Sequence, residues 1–423
     1  MNIVFLTLVR ISDVSQRGIY TDLLRLFLER GHSVYVVSAN ERRYGGKTEV
    51  VDSGRLHILK VKTLNIQKTN YIEKGIGVLL LENQYMSAIN KYWNNIHFDL
   101  ILYSTPPITL NGVILYLKNK NNAKTYLMLK DIFPQNAVDL GLLSKKSLLY
   151  KMFRRKEKKL YSISDYIGCT SPANIDFLIE HNKQIDKSKL EICPNSVELH
   201  EMEYFSKDNS EFLEKLNIPS DKTLFIYGGN LGEPQGLDFL LRIVEANELR
   251  ADSYIIIIGG GTGYAKVKRW FDVHLPKNAL LIPYLPKAEY DKIVCLCDVG
   301  LVLLDHRFTV PNTPSRMLSY LECRLPILLA TDIVTDAGRI AESNDFGRWT
   351  VSGNLEEFMS LMQYMSEDGN RRVVMGRNGY DFLMNNWTVE HTYNSIMRHF
   401  RSSVVKLGAN HRINGFAVRV FPP

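Results

Sequence analysis

One stretch of the chain, residues 223–245, reads TLFIYGGNLGEPQGLDFLLRIVE. Its first five residues form a β-branched and aromatic run typical of a buried strand, and the segment from Leu237 has the spacing of an amphipathic helix. Four glycines lie between them, at positions 228, 229, 232 and 236. Glycines at such a turn let backbone N–H groups approach an anion at the helix N-terminus. The stretch therefore predicts a strand–loop–helix unit that binds a phosphate-like ligand, with a plain tight turn as the alternative.

The same alternation of short apolar runs and amphipathic stretches fills both halves of the chain, which is typical of parallel sheets covered by helices. In the first half the predicted strands and helices are Met1–Val9, Tyr20–Arg30, Ser33–Val37, Asp99–Tyr103, Thr125–Leu129, Lys145–Leu160, Tyr166–Cys169 and Ala173–His181. In the second half they are Thr223–Tyr227, Leu237–Glu248, Tyr254–Ile258, Tyr264–His274, Ala279–Ile282, Ala288–Cys295, Val299–Leu304, Ser315–Cys323 and Ile327–Ala330. The polar stretch Ile192–Ser220 is predicted to link the halves. The expected fold class is α/β, with two doubly wound, Rossmann-like domains and a ligand cleft between them.

Length and composition exclude several classes of protein. The chain has 423 residues, of which 45% are hydrophobic, so it is long enough to bury two cores. No apolar run reaches the roughly 18 residues that span a bilayer, and the first residues lack the basic leader of a signal peptide. Five scattered cysteines argue against a disulfide framework. We therefore expect a cytoplasmic protein.

Several familiar ligand motifs are incomplete. The triplet GKT at 46–48 resembles the end of a phosphate-binding P-loop, but Glu41 stands where the upstream glycine is required. The run GGGTG at 259–263 is followed by Tyr264 where a dinucleotide fingerprint requires glycine. No Asp-x-Asp pair is present to hold a divalent metal on a diphosphate. What remains is recognition of an anion by backbone N–H groups and a few side chains, so we expect no metal and no cofactor.

Four segments resemble one enzyme family. They are Ser104–Pro107 (STPP), Asp131–Leu142 (DIFPQNAVDLGL), Tyr227–Leu237 (YGGNLGEPQGL) and Pro314–Pro326 (PSRMLSYLECRLP). Over residues 1–400 the chain resembles the retaining GT-B glycosyltransferases of family four, in particular the fucosamine-transferase-like branch of bacterial O-antigen and capsule assembly. The resemblance implies an acceptor-binding domain at 1–205, a nucleotide-sugar-binding domain at 206–385 and a helix at 386–400 that crosses back to the first domain. The tail at 401–423 has no match.

The family likeness also implies a reaction and a location. A hexosyl group would move from a nucleotide sugar, with uridine as the expected base, to a polyprenyl-diphosphate-linked saccharide, with retention and without a metal. The enzyme would be peripheral on the inner face of the cytoplasmic membrane. Two glutamates of the wider family fall at Pro311 and Ser319 here. Their loss leaves open the alternative of a degenerate nucleotide-binding scaffold. A second alternative is a sugar-nucleotide epimerase of the same two-domain architecture, which needs no acceptor.

By this resemblance the donor site draws on the glycine-rich loop, the GGGTG turn and the helix after position 314. Its predicted residues are Gly229, Asn230, Leu231, Gly232, Gln235, Gly260, Gly261, Thr262, Tyr284, Leu285, Pro314, Ser315, Ser319 and Glu322. Asn230 and Gln235 stand where the wider family has an arginine and a lysine. Glu322 lies about one helical turn from Ser319 and would reach ribose hydroxyls. Tyr284 would pack on the base, or else belong to the core.

Arg316 is the predicted catalytic cation. When a sugar–phosphate bond breaks, negative charge develops on the leaving diphosphate, and preorganised donors stabilise that charge best. Arg316 stands where the branch has a lysine, and a guanidinium is a permanently charged fork suited to phosphate. The alternative is a surface arginine in the first turn of a helix, where a cation opposes the helix dipole.

By the same resemblance the acceptor side draws on the loop after the first strand and on the STPP loop, and the end of the strand at 125–129 would face the same cleft. Its residues are Arg17, Gly18, Ser104, Lys130 and Gln135. Asp131 would orient or deprotonate the acceptor hydroxyl. Its alternative role is to cap the helix that contains Ala137.

The net charge of the chain has one source. Lys145–Lys159 contains eight basic residues and Glu157, and its charge equals the +7 of the whole chain. On a helix, a basic stripe would run beside an apolar face, and its members are Lys151, Arg154, Arg155 and Lys158. We expect this helix to contact anionic phospholipid, with a simply solvated domain helix as the alternative. A nucleic-acid partner is not expected, because no aromatic-interleaved patch accompanies the charge.

Overall fold

Strands rich in Val, Ile and Leu form two sheets, which confirms the predicted α/β architecture with two Rossmann-like halves. The computed structural model describes residues 1–66, 69, 71–200 and 211–400. The first sheet has eight strands and the second has six. Their central strands are buried on both faces, as in parallel sheets with crossover helices.

The first sheet is formed by the N-terminal half of the chain. Its strands are β1 (Asn2–Thr7), β2 (Ser33–Glu41), β3 (Glu49–Ser53), β4 (Leu56–Thr63), β5 (Leu100–Ser104), β6 (Lys124–Leu129), β7 (Tyr166–Cys169) and β8 (Leu190–Ile192). Their order is β3-β4-β2-β1-β5-β6-β7-β8, and β3 pairs antiparallel with β4 while the other neighbours are parallel. The helices are α1 (Thr21–Glu29), α2 (Tyr71–Trp93), α3 (Asn111–Asn121), α4 (Gln135–Asp139), α5 (Leu148–Ile163) and α6 (Pro172–His181).

The second sheet is parallel throughout and follows in the C-terminal half. After the short helix α7 (Glu211–Lys215) its strands are β9 (Thr223–Asn230), β10 (Ser253–Gly260), β11 (Ala279–Pro283), β12 (Val299–Leu303), β13 (Ile327–Thr331) and β14 (Gly347–Val351), in the order β11-β10-β9-β12-β13-β14. The helices are α8 (Leu237–Asn247), α9 (Tyr264–His274), α10 (Lys287–Leu296), α11 (Arg316–Glu322), α12 (Ala337–Ser343), α13 (Leu355–Glu367), α14 (Gly369–Asn386) and α15 (Val389–Met397).

Alternate residues of the central strands supply opposite cores, because successive side chains of a strand point to opposite faces. In β1, Ile3 and Phe5 belong to one apolar cluster, and Val4 and Leu6 belong to another. All four are at most 1% exposed. The strand β9 does the same in the second sheet. The sheets are therefore rigid platforms, and the loops at their carboxyl ends are free to carry function.

The chain returns to the first domain at its end. Helix α15 packs against α1, and Ile396 lies in the same apolar cluster as Leu23 and Phe27. Glu191 in β8 accepts a hydrogen bond from His399 at 2.7 Å and pairs with Arg398. The predicted tail at 401–423 lies outside the described residues.

The structure corrects the sequence analysis in the element list. Helices α2 and α3, the β3–β4 hairpin and the region of α12, β14, α13 and α14 are additional to the predicted elements. The predicted helix at Lys145–Leu160 begins only at Leu148, because the Ser147 hydroxyl caps it by accepting from the Tyr150 N–H at 3.1 Å. The segment predicted to be a linker contains the end of β8 and helix α7, and residues 201–210 within it lie outside the described residues.

Candidate active site

The carboxyl ends of the two sheets face each other across a cleft. Contacts that cross it include the ion pair of Arg17 with Glu322 and the hydrogen bond from the Thr309 N–H to Asp139 at 2.8 Å. The ends of β1, β5 and β6 supply the first wall, and the ends of β9, β10 and β12 supply the second. The candidate site lies between these walls, where sheets of this kind bind their ligands.

The glycine-rich loop after β9 forms the floor of the second wall. One 3₁₀ turn, Glu233–Gln235, connects it to Gly236, whose φ of 61° starts α8 directly. A side chain at that φ would be strained, so glycine is needed at this helix entry. The Leu231 N–H donates to the Gly260 carbonyl at 2.8 Å, which joins the loop to the GGGTG turn after β10. Two of the predicted donor segments are therefore one structural unit.

Leu231 does not serve as predicted. Its side chain is fully buried in the core beside β9, and its N–H is occupied by Gly260. Neither group is open to a ligand, because the turn after β10 covers the loop at this point. Gly229 and Asn230 are exposed, as is Thr262 in the neighbouring turn. In these two turns, Gly229, Asn230 and Thr262 are therefore the predicted donor residues most accessible to a ligand.

Arg316, the first residue of α11, lies beneath the glycine-rich loop. Its Nη2 donates to the Gln235 Oε1 at 2.5 Å, and its guanidinium carbon lies 4.3 Å from the centre of the Tyr227 ring. Its Nη1 is buried and has no hydrogen-bond partner within the described part of the chain. Buried donors are nearly always satisfied, so this atom indicates a missing acceptor. The alternative, an arginine on the open surface, is wrong.

Of the remaining predicted donor residues, some are exposed to solvent and others are in contact with the protein itself. Ser315 precedes α11, is exposed, and makes no side-chain cap. Pro314 forms the same turn, since its carbonyl accepts from the Met317 N–H at 3.2 Å. Tyr284 is 76% exposed at the end of β11, so its alternative role in the core is wrong. Leu285 beside it is partly buried against the second core.

Glu322 and Arg17 were predicted for different ligands, but the structure pairs them. The Arg17 Nη2 lies 2.6 Å and 2.7 Å from the two Glu322 carboxylate oxygens, and its Nη1 lies 3.3 Å from Asp291. Glu322 is 3% exposed and also accepts from the His200 N–H at 3.2 Å. Lys287 approaches Ser319 at 3.4 Å from the same cluster. A ribose contact by Glu322 therefore stays a prediction and would require these partners to share it.

Asp131 follows β6 on the first wall of the cleft. Burial raises the pKa of its carboxyl to about 6, and it also raises the pKa of the neighbouring Tyr20 to about 12. The Thr105 hydroxyl oxygen fixes the chain here by accepting from the N–H groups of Lys130 at 3.1 Å and Asp131 at 3.2 Å. Helix α4 begins after Pro134 without a side-chain cap, so the capping alternative for Asp131 is wrong. A carboxyl with such a pKa is suited to accept a proton near neutral pH.

The other predicted acceptor residues are held by the protein itself. The Lys130 ammonium donates to the Pro194 carbonyl at 3.2 Å, and burial lowers its pKa. The Gly18 N–H donates to Asp22 at 2.9 Å at the start of α1. Ser104 is buried at the end of β5 and lies beside Tyr20. Gln135 donates across the cleft to the Thr309 hydroxyl at 3.3 Å. Their acceptor roles stay predictions.

Three of the four residues predicted for the basic stripe of α5 are exposed, and Arg154 is not. Arg154 pairs with Glu157 at 2.6 Å and donates to the His181 carbonyl at 2.8 Å, which ties α5 to α6. Lys151, Arg155 and Lys158 are exposed. Arg154 lies on the side of α5 that faces α6, so its guanidinium is paired with Glu157 within the domain and is not available to a lipid surface. None of the helices in the described residues is long and apolar enough to cross a bilayer.

Comparison with known proteins finds a family model that is similar to the second half of the chain. The model of the family described as "Glycosyl transferases group 1" matches residues 208–382. The chain has the GT-B fold, and its second half is similar to this family. The match agrees with the expectation of a glycosyltransferase. The fucosamine-transferase-like branch is finer than this match and stays a prediction.

Two curated relatives resemble this GT-B chain. The probable glycosyltransferase WbjE of Pseudomonas aeruginosa is 26% identical over 260 residues, 60% of this chain and 63% of the relative. The putative colanic acid biosynthesis glycosyl transferase WcaI of Escherichia coli (strain K12) is 23% identical over 256 residues, 58% of this chain and 60% of the relative. The matches thus span about three fifths of each relative.

Solved structures support the fold. Sucrose-phosphate synthase of Thermosynechococcus elongatus superposes with a TM-score of 0.73 at 12% identity, covering 95% of this chain and 98% of that one. WaaG, a glycosyltransferase involved in lipopolysaccharide biosynthesis, gives 0.66 at 10% identity, covering 94% and 99%. HepE of Anabaena in complex with UDP gives 0.64 at 13% identity, covering 95% and 100%.

Three features of the site have no signal in the local sequence. The pairing of Arg17 with Glu322 joins residues 305 positions apart. Tyr20 lies beside Asp131 although 111 positions separate them. Asp139 binds Thr309 across the cleft. Each depends on how the two sheets face each other, and no spacing rule contains that information.

Proposed function

We propose that this chain is a retaining, metal-independent glycosyltransferase that moves a hexosyl group from a uridine-diphosphate sugar to a polyprenyl-diphosphate-linked saccharide during surface polysaccharide assembly. We assign it to the fucosamine-transferase-like branch. One observation carries the proposal: the buried, unpartnered Nη1 of Arg316 beneath the glycine-rich loop. A diphosphate at the start of α8 would supply the acceptor that this nitrogen lacks.

The chemistry of the donor site fits a leaving diphosphate. Arg316 is held by Gln235 and by the face of Tyr227, so its charge is oriented before any ligand arrives. In a site shielded from water, such a fixed cation stabilises developing negative charge strongly. The dipole of α8, whose first turn follows Gly236, acts in the same direction. Arg316 would therefore stabilise the diphosphate as the sugar–phosphate bond breaks.

The opposite wall fits an acceptor hydroxyl. The Asp131 carboxylate would orient this hydroxyl and accept its proton, and a pKa of about 6 keeps most of the group ionised at neutral pH. Uridine is supported by the HepE complex with UDP and by the exposed Tyr284 ring, which is free to stack on a base. The names of WbjE, WcaI and WaaG support a role in surface polysaccharide assembly.

A peripheral position on the inner face of the cytoplasmic membrane is supported by the surface near the cleft. Around the exposed Lys151, Arg155 and Lys158 lie three exposed leucines, Leu142 at 55%, Leu148 at 83% and Leu149 at 49%. The neighbouring helix α2 exposes Ile76, Leu79 and Leu80, and its Glu82 lies 3.9 Å from Lys156 of α5. Exposed apolar side chains ringed by basic ones are typical of a surface that rests on anionic lipid. A lipid-linked acceptor would then enter the cleft from that surface.

The test is a calorimetric titration with UDP, ADP and GDP, followed by a panel of nucleotide sugars offered with a lipid extract and mass detection of the product. The proposal predicts selective binding of UDP, product formation only when a lipid-linked acceptor is present, and turnover that survives a chelator. A rearranged sugar released without acceptor would instead indicate an epimerase. Binding without any product across the panel would indicate a scaffold, and absence of UDP binding would contradict the proposal.

A further inference from the structure

A loop of the second domain is embedded in the first. Residues 304–315, between β12 and α11, are called the inserted loop here. Phe308 and Val310 of this loop are 5% and 0% exposed and belong to the apolar core of the first sheet, together with Leu129 and Ile132. Withdrawing these side chains would expose them to water, so the loop is anchored in the first domain.

Polar contacts hold the inserted loop on three elements of the first domain. The Thr309 N–H donates to the Asp139 Oδ2 at 2.8 Å, and the Thr309 hydroxyl donates to the Oδ1 at 2.9 Å. The Asn174 side chain of α6 donates to the Pro311 carbonyl at 2.8 Å. Asn195, after β8, donates to the Thr313 carbonyl at 3.1 Å. The loop therefore moves with the first domain although its two ends belong to the second.

Both ends of the inserted loop reach the donor site. At the first end, the Asp305 N–H donates to the Pro234 carbonyl of the glycine-rich loop at 3.0 Å, and Arg307 pairs with Glu233 at 2.8 Å. At the other end, the chain continues into α11, which begins with Arg316. The position of Arg316 relative to the glycine-rich loop thus depends on where the inserted loop sits.

The anchoring residue Asp139 belongs to the same segment as the acceptor carboxylate. Helix α4 begins four residues after Asp131, and Asp139 is its last residue. Gln135, its first residue, donates to Asp139 at 2.6 Å and to Thr309 at 3.3 Å. The five-residue helix α4 therefore connects the acceptor wall to the inserted loop.

We propose that the inserted loop couples the two substrate sites, with Asp139 and Thr309 as positioning residues that set Arg316 according to the state of α4. This inference rests on the proposed function, because it needs a donor at the glycine-rich loop. A donor bound to Arg316 restrains the start of α11 and the inserted loop before it, and through Thr309 it restrains α4. Since coupling between two sites is reciprocal, an acceptor that restrains α4 also favours the productive position of Arg316.

The experiment measures hydrogen exchange in α4 of the full chain with and without saturating UDP, while calorimetry reports UDP binding in the same samples. Variants Asp139→Ala and Thr309→Val each remove part of the contact, and Thr309→Val keeps the backbone N–H and nearly the same volume. Asp176→Ala, at an exposed carboxylate of α6, is the matched control. In the wild type and the control, UDP is expected to slow exchange in α4 by about fivefold or more, the usual scale of coupling between sites.

In Asp139→Ala the response of α4 to UDP is expected to disappear although UDP still binds, and in Thr309→Val it is expected to shrink. Turnover of both variants should fall while the KM for the donor changes little. The coupling is overturned if UDP binds the wild type without any effect on α4, or if the effect persists unchanged in both variants. If UDP does not bind the wild type at all, the proposed function fails, and the coupling fails with it.

Discussion

Arg17 and Glu322 form a bidentate ion pair across the cleft, with the Arg17 Nη2 at 2.6 Å and 2.7 Å from the two carboxylate oxygens. Arg17 belongs to the loop before α1 in the first domain, and Glu322 is the last residue of α11 in the second. The Glu322 side chain is 1% exposed, so its charge depends on this partner. The pair joins the helix of Arg316 to the first domain at the end opposite to the inserted loop.

Removal of Arg17 should destabilise the protein. Arg17→Ala leaves the Glu322 carboxylate buried with the His200 N–H as its remaining named donor, and breaking a buried pair in this way typically costs about 3–5 kcal/mol. The free energy of unfolding, measured by urea denaturation, should fall by about that amount. Arg42→Ala removes an arginine that is 65% exposed in its pair with Glu73, and should cost about 1 kcal/mol or less. Equal costs for the two variants would contradict the structural role of the pair.

Asp131 should destabilise the fold when its carboxyl is ionised, whereas Arg17 stabilises it. Burial raises the pKa of its carboxyl to about 6, above the value in the unfolded chain, so the folded state binds the proton more tightly. The ionised group therefore destabilises the fold above pH 6, and this penalty disappears as the pH falls below the unfolded value near 4. Asp131→Asn should raise the free energy of unfolding at pH 7.5 and leave it unchanged at pH 3.5. An equal effect at both pH values would show that ionisation is not the cause.

The Asp131 carboxyl should also determine how turnover declines on the acid side of the pH–activity profile. The base form of Asp131 is lost as the pH falls through about 6, so turnover should decline over that range. Asp131→Asn should remove most of the turnover and should remove this limb from whatever activity remains. A wild-type profile that is flat from pH 5 to 8 would argue against Asp131 as the proton acceptor.

Vesicle binding should depend on the exposed face of α5 and not on Arg154. Replacing Lys151, Arg155 and Lys158 by serine should weaken binding to anionic vesicles by about 100-fold, since each basic residue near the surface contributes about 1 kcal/mol. Arg154→Ala should mainly lower the free energy of unfolding, because it loses its contacts with Glu157 and His181. The readout is co-sedimentation with vesicles of phosphatidylglycerol at low salt.

A matched triple variant controls for the loss of charge. Lys266, Lys268 and Arg269 are exposed on α9 of the second domain, and serine at these positions removes the same charge from another helix. This variant should bind vesicles like the wild type. If the wild type does not bind anionic vesicles at low salt, or if both triple variants lose binding equally, α5 is not the membrane surface.

The sequence predicts the parts of the fold that local patterns encode. Continuous β-branched runs such as Ser253–Gly260 are buried on both faces in a parallel sheet, so their strands can be identified from composition alone. Helix α2 was not predicted from the sequence. Its residues Ile76, Leu79 and Leu80 are exposed, so its apolar residues do not mark a single buried face. Periodicity identifies a helix only when burial follows the period.

The sequence predicted individual residues of the site better than the contacts between them. Gly236 was expected from the pattern of a strand, a loop and a helix, and Arg316 from the family resemblance. The structure brings Arg316 to the predicted Gln235. Leu231 was misassigned because a sequence cannot show that the turn after β10 covers its N–H. Phe308 and Val310 are part of the first core through contacts between distant segments, which is information that local propensity does not carry.

The turnover of Arg316→Ala, measured with the nucleotide sugar that the wild type accepts, tests the central claim most directly. Loss of one preorganised charge-stabilising donor typically costs about 100-fold or more in turnover, and that is the predicted result. Arg339→Ala, at an exposed arginine of α12, should leave turnover unchanged and serves as the control. A loss below about threefold in Arg316→Ala would show that the leaving diphosphate does not depend on Arg316, and it would contradict the account.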